Sequence, residues 1–353
     1  MKMSTDGGRV GEGPMRSLLF LICAILLGSF SSFSAREAKA WGEFGHLTVC
    51  DLAYRNLTKT SRAELDKLFQ VKSGGITVPA KGHTAERHYT SFNLGCLEED
   101  TRPREHPGDH FINVDRSTTS ITDNVCPGGG ECILAGIRRD FDTLKDSANS
   151  NEDRVFALMA LGHWMGDIHQ PLHVSFKDDA GGNSIKVKLK GGCGTSKEAK
   201  PTNLHAVWDD CLLEAGLFER VRKRADFKTT WGPRTITYRA VDSLQANTTL
   251  TDEKALVGTD PWKWANESYQ ITLKPEVLYC TVIAGVCQYS AEIVSLPHDG
   301  EQRLQLIDQG YLTAFAGVAE ARVKKAGFRL AHLVNLALDP EYSEPIQNST
   351  QQP

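Results

Sequence analysis

The chain has 353 residues, which is enough for one large domain or two small ones. With 40% hydrophobic and 24% charged residues, its composition is that of a soluble globular protein. The formal net charge of −4 argues against a protein that grips duplex DNA through a basic face. The one basic cluster, Arg220–Arg224, is short, and we interpret it as the solvated end of a helix.

The N-terminus has the pattern of a signal peptide. Two arginines precede an apolar run from Leu18 to Leu27, and Ala38-Lys39-Ala40 provides a small-x-small cleavage site. We therefore expect residues 1–40 to be a signal peptide that is cleaved between Ala40 and Trp41, with export to a periplasm or the medium. The apolar run is too short to cross a bilayer, which needs about 20 residues, so no membrane anchor is expected.

Export would place the cysteines in an oxidising compartment. Removal of Cys23 with the signal peptide leaves eight of the nine cysteines, an even number that predicts disulfides without fixing their pairing. The short loops Cys126–Cys132 and Cys280–Cys287 are the favoured local pairs, which leaves Cys50 with Cys96 and Cys193 with Cys211. A zinc-binding cysteine cluster is the rival interpretation, and it is weak because the sequence has no C-x-x-C pair.

Helical periodicity dominates the rest of the chain, so we predict a mainly α, single-domain fold over residues 41–340. Ser61-Arg62-Ala63-Glu64 has the pattern of a capping box that opens a helix, and Pro171 ends another because proline cannot continue it. The predicted helices cover 43–57, the segment from 61 onward, 151–170, the segment from 203 past 213, and 301–325, followed by a break at Gly327 and an apolar continuation through 338.

The remaining segments give weaker signals. Residues 184–189 alternate apolar side chains with lysines, which predicts a strand or the edge of a short β-hairpin. Residues 71–90 and 101–130 are rich in Gly, Pro and polar residues and are predicted loops. The polar tail at 341–353 is predicted to be disordered.

Histidine and aspartate recur at helical spacing in two places. His163 and Asp167 are four residues apart, so both side chains project from one face of their helix. His205 and Asp209 repeat that spacing, and His173 lies between the two pairs. One isolated pair of this kind is usually an exposed salt bridge, but two pairs in apolar helices favour a metal. Imidazole and carboxylate ligands suit zinc, and metal ions would supply the positive charge that an acidic protein needs to handle phosphates.

The predicted new N-terminus offers a further chelating group. After cleavage, the free amine and carbonyl oxygen of Trp41 could bind one metal in a five-membered ring, and His46 follows five residues later. A Trp-Gly start followed by a buried histidine is commonly part of a core, so this signal gains weight only beside the helical pairs.

Taken together, these blocks resemble the S1/P1 nuclease family. The matching residues are Trp41-Gly-x-x-Gly-His46, His110-Phe111-Ile112, His163-x-x-Gly166-Asp167-x-x-Gln170-Pro171-Leu172-His173, Gly181-Gly182-Asn183, Asn203-Leu204-His205-x-x-Trp208-Asp209 and Ala326-Gly327-Phe328-Arg329-Leu330-Ala331. Order and spacing agree from Trp41 to about Asp210, whereas residues 215–300 give little to match. The resemblance implies a phospholipase C/P1 nuclease-like helical fold with three zinc ions at the bottom of a cleft.

The resemblance also implies which residues hold the metals. One zinc would be held by Asp100, His110, His163 and Asp167; a second by the Trp41 amine and carbonyl, His46 and a shared Asp167; and the third by His173, His205 and Asp209. Asp100 would also be the catalytic residue that orients the nucleophile or accepts its proton. Three neighbouring carboxylates stay open as alternatives to Asp100, namely Glu98, Glu99 and Asp109. His106 is the substitute for His110, and it is otherwise interpreted, with His83, His88, His169, His298 and His332, as surface or structural.

The function that the resemblance implies is a secreted, zinc-dependent endonuclease. Its substrates would be single-stranded DNA and RNA, cut to 5′-nucleotides, and 3′-nucleotides; a monomer is expected. Zinc lowers the pKa of a bound water toward about 7, which would supply the nucleophile. Phe111 matches the family's base-stacking position, and Asn113 lies where many members have a carboxylate that hydrogen-bonds the base. The family's basic residue near the phosphate falls about Pro103, between Arg102 and Arg104.

Two alternative functions stay open. A zinc phospholipase C shares the fold and the metal chemistry but attacks a lipid headgroup phosphate. That family has a longer gap between its N-terminal Trp and first His and a Glu where this chain has Asp209, so the nuclease is favoured. A non-catalytic, zinc-binding exported protein would use the same ligands structurally, but structural zinc sites are usually closed and often rich in thiolates.

Overall fold

The computed structural model describes residues 1, 41–78, 86–101, 104–191, 193, 203–246, 248, 258–277, 281–283, 286–288 and 304–343. Helices dominate this part of the chain, which confirms the mainly α prediction. They are α1 (Glu43–Arg55), α2 (Lys59–Leu68), α3 (Phe92–Gly95), α4 (Ile133–Lys145), α5 (Asn151–Asp167), α6 (Leu204–Ala206), α7 (Glu219–Arg222), α8 (Pro233–Gln245), α9 (Pro261–Thr272) and α10 (Gln309–Leu338). Two π-helical turns join α6 to α7, namely Val207–Cys211 and Glu214–Phe218. Three 3-10 turns carry predicted ligands, namely Glu98–Asp100, Pro107–His110 and Pro171–His173.

The described strands form two-stranded sheets. The strands are β1 (Ile76–Val78), β2 (Arg87–Tyr89), β3 (Ile112–Val114), β4 (Val174–Phe176), β5 (Lys186–Leu189), β6 (Thr281–Ile283), β7 (Val286–Gln288) and β8 (Leu304–Ile307). The pairs β1–β2 and β6–β7 are antiparallel hairpins, whereas β3–β4 and β5–β8 are parallel. The strand predicted at 184–189 is therefore confirmed as β5, but its partner is the distant β8 and not a neighbouring hairpin strand.

Helix α5 forms the centre of the core. Every residue from Ala157 to Asp167 is buried, and a helix buried on all sides needs neighbours on all sides. Helices α1, α4 and α10 pack around it. The Ser150 hydroxyl caps its first turn by accepting the Asp153 N–H at 3.1 Å, and Pro171 follows its end. This packing fixes the helix that carries His163 and Asp167.

The predicted break at Gly327 is wrong. Helix α10 runs without interruption from Gln309 to Leu338, and Gly327 lies inside it. A Cβ at this position would come within 2.6 Å of the Leu52 side chain, so the glycine allows α10 to approach α1 closely and does not end the helix. The helix also begins later than predicted, because residues 304–307 pair as β8 and Asp308 caps α10 by accepting the Tyr311 N–H at 3.0 Å.

Two smaller predictions are also corrected. Helix α2 begins at Lys59 because the Thr58 hydroxyl caps it, accepting the Ser61 N–H at 3.0 Å, so the capping box predicted at Ser61 is wrong. The predicted loops contain regular structure: residues 71–90 include β1 and β2, and residues 101–130 include β3.

Disulfides tie the helical core together. The bonds Cys50–Cys96, Cys126–Cys132 and Cys193–Cys211 confirm three of the predicted pairs. The fourth, Cys280–Cys287, stays a prediction because Cys280 lies outside the described residues. The predicted signal peptide and the tail after residue 343 also lie outside them, apart from residue 1. Among the described residues, no helix is long and apolar enough to cross a membrane.

Candidate metal centre

The side chains predicted as ligands meet in three groups. Within each group the ligand atoms lie within 4.8 Å of one another; the groups are His46, His163 and Asp167; Asp100, His110 and His163; and His173, His205 and Asp209. All of the histidines and both Asp167 and Asp209 are at most 5% exposed. Ionisable groups buried at this density need a partner to compensate for the loss of water.

Each group is assembled by a change of local structure. His163 and Asp167 occupy the last turns of α5, and the 3-10 turn at Pro171–His173 places His173 Nδ1 3.9 Å from Asp167 Oδ2. Asp209 lies in a π-helical turn that continues α6, which carries His205, and their Nε2 and Oδ2 atoms are 3.6 Å apart. Single π-helical turns are rare and are frequent at functional sites.

The Asp167 carboxylate lies between two groups. Its Oδ1 is 3.3 Å from His46 Nε2, whereas its Oδ2 is 3.1 Å from His110 Nδ1 and 3.4 Å from His163 Nε2. The two oxygens of one carboxylate therefore face different imidazoles. This is the geometry expected of a carboxylate that is shared between two cations.

Backbone carbonyls orient three of the imidazoles. The Nδ1–H groups of His163, His173 and His205 donate to the carbonyls of Cys96, His110 and Gly181, at 2.8, 2.5 and 2.6 Å. Each Nε2 then carries a lone pair that is available to a metal, as is usual for histidine ligands. In the third group, the Nε2 atoms of His173 and His205 are 3.0 Å apart. Two lone pairs at this distance repel each other unless a cation lies between them.

Burial sets the protonation states of these groups. It lowers the pKa of His163 and His173 well below the ordinary value and that of His205 to about 4, so the imidazoles are neutral, as metal ligands must be. Burial raises the pKa of Asp167 to about 7, and burial together with Asp210 raises that of Asp209 well above its usual range. Bound cations would keep both carboxylates ionised.

Two glycines make room for the histidines. A Cβ at Gly166 would lie 2.6 Å from His46 Nδ1, so only glycine at this position in α5 allows the imidazole to approach. Gly181 has a positive φ of 66°, and a Cβ there would lie 2.6 Å from the Leu172 carbonyl and 3.3 Å from His205 Nδ1. Both glycines belong to the sequence blocks that carry the family resemblance.

The structure separates Asp100 from the alternative carboxylates. Asp100 Oδ1 lies 3.8 Å from His163 Nε2 and belongs to the second group. Glu98 instead accepts hydrogen bonds from Arg87 and Tyr89, and Glu99 pairs with His106 Nδ1 at 3.0 Å. Asp109 binds Arg139 at 2.5 Å. His106 is therefore engaged with Glu99, while His110 lies with the ligand groups.

The other predicted site residues lie around these groups. Trp41 is buried, and the neighbouring Gly42 N–H donates to the Asp209 carbonyl at 3.0 Å, so this segment runs beside the third group. Phe111 is 38% exposed and precedes β3. Asn113 lies within β3, and its buried Oδ1 has no hydrogen-bond partner among the described residues.

Two residues support the ligands through contacts that the sequence did not predict. Gln170 Nε2 donates to Asp209 Oδ1 at 2.6 Å, while its Oε1 accepts the Leu172 N–H at 2.5 Å, which links the turn after α5 to the third group. Arg104 donates to Asp100 Oδ1 at 2.7 Å. Burial lowers the pKa of His110, and the positive charge of Arg104 adds to this effect. A glutamine directly before Pro171 and an arginine near Asp100 were the available signals.

An ionic network of mostly buried side chains contacts His169, just after the end of α5. Arg322 donates to the His169 carbonyl at 3.1 Å and to Glu267 at 2.5 Å, and Arg329 bonds both Glu267 and the His169 ring. His169, which was interpreted from the sequence as surface or structural, is fully buried. His88 is exposed and His332 is buried against Tyr342, whereas His83 and His298 lie outside the described residues.

Comparison with known proteins decides the family. The sequence profile of the S1/P1 nucleases matches residues 41–339. The chain belongs to the S1/P1 nuclease family. It is 27% identical to Endonuclease 4 of Arabidopsis thaliana over 84% of this chain and 89% of that protein. It is 23% identical to Nuclease P1 of Penicillium citrinum over 84% and 97%, and 29% identical to Nuclease S1 of Aspergillus oryzae over 51% and 57%.

Membership of the S1/P1 nuclease family makes the chain a nuclease, and therefore a hydrolase. The profile spans all eight side chains predicted as ligands and begins at Trp41. Among the described residues, the three His/Asp groups could bind metal ions.

Proposed function

We propose that this nuclease is zinc-dependent and cuts single-stranded DNA and RNA to 5′-nucleotides, and that it also removes the phosphate of 3′-nucleotides. The observation that carries the proposal is the pair of facing Nε2 atoms of His173 and His205, 3.0 Å apart beside the Asp209 carboxylate. A neutral imidazole pair in this orientation is stable around a cation, and zinc prefers imidazole and carboxylate ligands.

The proposed ligands form three sets. One zinc would be held by Asp100, His110, His163 and Asp167; a second by His46, Asp167 and the amine and carbonyl of Trp41; and the third by His173, His205 and Asp209. The sharing of Asp167 is supported by its two oxygens, which face different histidines. When bound, zinc would supply an acidified water nucleophile and positive charge for the phosphate.

The chain's own groups prepare the phosphate and the proton transfer. Arg104 holds Asp100 through Oδ1, which leaves Oδ2 of Asp100 as the atom that would accept a proton from the nucleophile. The Arg104 guanidinium is a fixed positive charge beside the cluster and would bind phosphate oxygens. Arg104 would serve as the family's basic residue near the phosphate, whose position in the resemblance falls about Pro103.

Substrate preference would come from Phe111, Asn113 and the depth of the site. The half-exposed Phe111 ring offers a face on which a base can stack. Side chains two residues apart in an extended segment share a face, so the partly buried Asn113 would lie beside the same base. Because the ligands are buried, a duplex would be excluded, whereas a single strand can bend into the site.

Export fits the proposed chemistry. A free amine at Trp41 requires removal of residues 1–40, and the family profile begins at residue 41. The three disulfides suit an oxidising compartment. We therefore propose a signal peptide over residues 1–40, a catalytic domain over 41–340, and a secreted or periplasmic monomer.

A substrate panel on the mature chain beginning at Trp41 tests the proposal. Single-stranded DNA, RNA, duplex DNA, a 3′-mononucleotide and phosphatidylcholine would each be incubated with zinc, with chelator and with zinc restored. The proposal predicts zinc-restorable release of 5′-nucleotides, faster from single strands than from the duplex. Turnover of lipid alone would assign the phospholipase function, and bound zinc without turnover of any substrate would assign a non-catalytic role.

A further inference from the structure

Strand β5 presents a row of lysines to solvent. Lys186 and Lys188 lie in β5 and Lys190 directly follows it; all three are exposed, whereas the intervening Val187 and Leu189 are half-buried, so the lysines alternate onto one side. The Lys190 N–H donates to the Ile307 carbonyl at 2.7 Å, which continues the pairing with β8 by one residue. Alternate residues of a strand are roughly 6.6 Å apart. The row is thus about 13 Å long from the first lysine to the third.

The partner strand completes an exposed face. Lys188 lies opposite Leu306 in the parallel register, and paired residues project to the same side of a sheet. Leu306 is 60% exposed, while its neighbours Gln305 and Ile307 are buried. A large exposed apolar side chain beside a lysine row provides a surface for an aromatic or apolar group. Asp308, just beyond β8, is occupied in capping α10.

The lysine row begins beside the third ligand group. Lys186 forms a β-bridge with Asn203, and the Leu204 N–H donates to the Ile185 carbonyl at 2.9 Å. Asn203 caps the short helix that carries His205. The first lysine is therefore attached to the segment that positions the ligand His205.

The lysines differ from the basic cluster at Arg220–Arg224. There, Arg220 pairs with Glu320, Lys223 and Arg222 pair with Glu219, and Arg224 pairs with Asp226. Within the part of the chain that the structure describes, Lys188 and Lys190 form no ion pair. They keep their positive charge available on the surface of an acidic protein.

We propose that Lys188 and Lys190, with Lys186 and Leu306 beside them, form a surface outside the catalytic centre that binds the backbone of a single-stranded nucleic acid. The lysine spacing is about twice the 3.4 Å rise per nucleotide of a duplex strand, which an extended single strand can match. Lys188 and Lys190 contact successive phosphates, and Leu306 contacts a base. This inference rests on the proposed function, because it extends the site for the same substrate class.

Binding of a labelled 20-nucleotide oligo(dT) tests the surface directly. The zinc-loaded chain would carry Asp100→Asn to prevent turnover, and fluorescence anisotropy would be recorded from 0.05 to 0.3 M salt. Removal of two phosphate contacts lowers the salt slope of log Kd by about 1.4 and raises Kd about 25-fold at 0.1 M salt. We expect this change for the double variant Lys188→Gln/Lys190→Gln.

Two further variants control for charge and folding. Arg222→Gln/Lys223→Gln removes two positive charges that already have an acidic partner, and it should leave Kd and slope unchanged. Lys188→Arg/Lys190→Arg keeps the charge and should bind like the parent. Unchanged Kd and slope in Lys188→Gln/Lys190→Gln, with the parent melting temperature, would overturn the proposal. So would lysine-dependent binding of vesicles containing phosphatidylglycerol without binding of oligo(dT), which would make the surface a membrane contact.

Kinetics separate this proposal from the proposed function. With an otherwise unaltered site, Lys188→Gln/Lys190→Gln should lower kcat/KM for the 20-mer relative to that for a dinucleotide. If the chain binds oligo(dT) through these lysines but hydrolyses no nucleic acid, the proposed function is refuted and the proposed binding surface is supported. If the variant is an active nuclease with an unchanged ratio of kcat/KM for the 20-mer to kcat/KM for the dinucleotide, only the proposed binding surface is refuted.

Discussion

Replacement of Gly166 by alanine perturbs the ligand groups through one methyl group. The added Cβ would lie 2.6 Å from His46 Nδ1 and 2.7 Å from Cε1, whereas ordinary contacts begin at 3.4 Å. The His46 ring must therefore move by roughly 0.8 Å, or the helix must move by as much. Metal sites tolerate about 0.2 Å in ligand distance. We expect zinc affinity at the site of His46 to fall about 10- to 100-fold, with a loss of about 1–3 kcal/mol in unfolding free energy.

Gly317→Ala is the matched control for this substitution. Gly317 is an exposed residue inside α10, and a Cβ there would meet nothing within 4 Å, so the change should stabilise the helix by about 0.5–1 kcal/mol. Competition against a chromogenic chelator would give the zinc affinity of both variants, and thermal unfolding would give their stability. Wild-type zinc affinity and kcat/KM in Gly166→Ala would refute the argument that this glycine admits His46.

Three other predictions follow from the same geometry. Asp100→Asn should lower kcat/KM on single-stranded DNA by about 100-fold or more, whereas Glu99→Gln should stay close to wild type because Glu99 pairs with His106; equal losses would contradict the assignment of Asp100. Phe111→Ala should raise KM about 10- to 100-fold through lost stacking with little change in melting temperature, and an unchanged KM in steady-state kinetics would remove the ring from the substrate site. Glu267→Gln should cost about 3 kcal/mol of unfolding free energy in urea, near the low end for a broken buried pair because Glu267 is about one-third exposed. Burial opposes ionisation of Glu267, but Arg329 and Arg322 hold its pKa well below the usual 4.5. Its stabilisation is therefore complete above pH about 4.5 and is lost as the pH falls further, so the wild-type melting temperature should decline in acid more steeply than that of the variant, and parallel curves would contradict this account.

The ligands carried by neighbouring turns were predictable from local sequence. His163 and Asp167 share a helix face because four residues make about one turn, and the same spacing predicted His205 with Asp209. In the fold, the two members of each pair lie close together at buried positions. The sequence favoured Asp100 but left Glu98, Glu99 and Asp109 open, because only the fold shows that Arg87, His106 and Arg139 engage these three carboxylates.

The predictions of the fold that were wrong depend on packing between residues that are far apart in the sequence. Gly327 has the local signature of a helix break, but its role is set by Leu52, which is far away in sequence. Strand β5 was identified from alternation, yet its partner β8 is separated from it by more than a hundred residues, and local patterns cannot specify such pairing. The hydrogen bond from Gln170 to Asp209 was likewise not predictable from the sequence, because a glutamine before a proline has many structural uses.

The most direct test of the central claim is the zinc content of the mature chain measured together with its activity. Elemental mass spectrometry of the chain beginning at Trp41 would be paired with release of 5′-nucleotides from single-stranded DNA, before chelation, after chelation and during stepwise return of zinc. We expect three zinc ions per chain, one for each proposed set of ligands, with turnover lost on chelation and recovered as the sites refill. Undiminished hydrolysis by the zinc-free chain would contradict it.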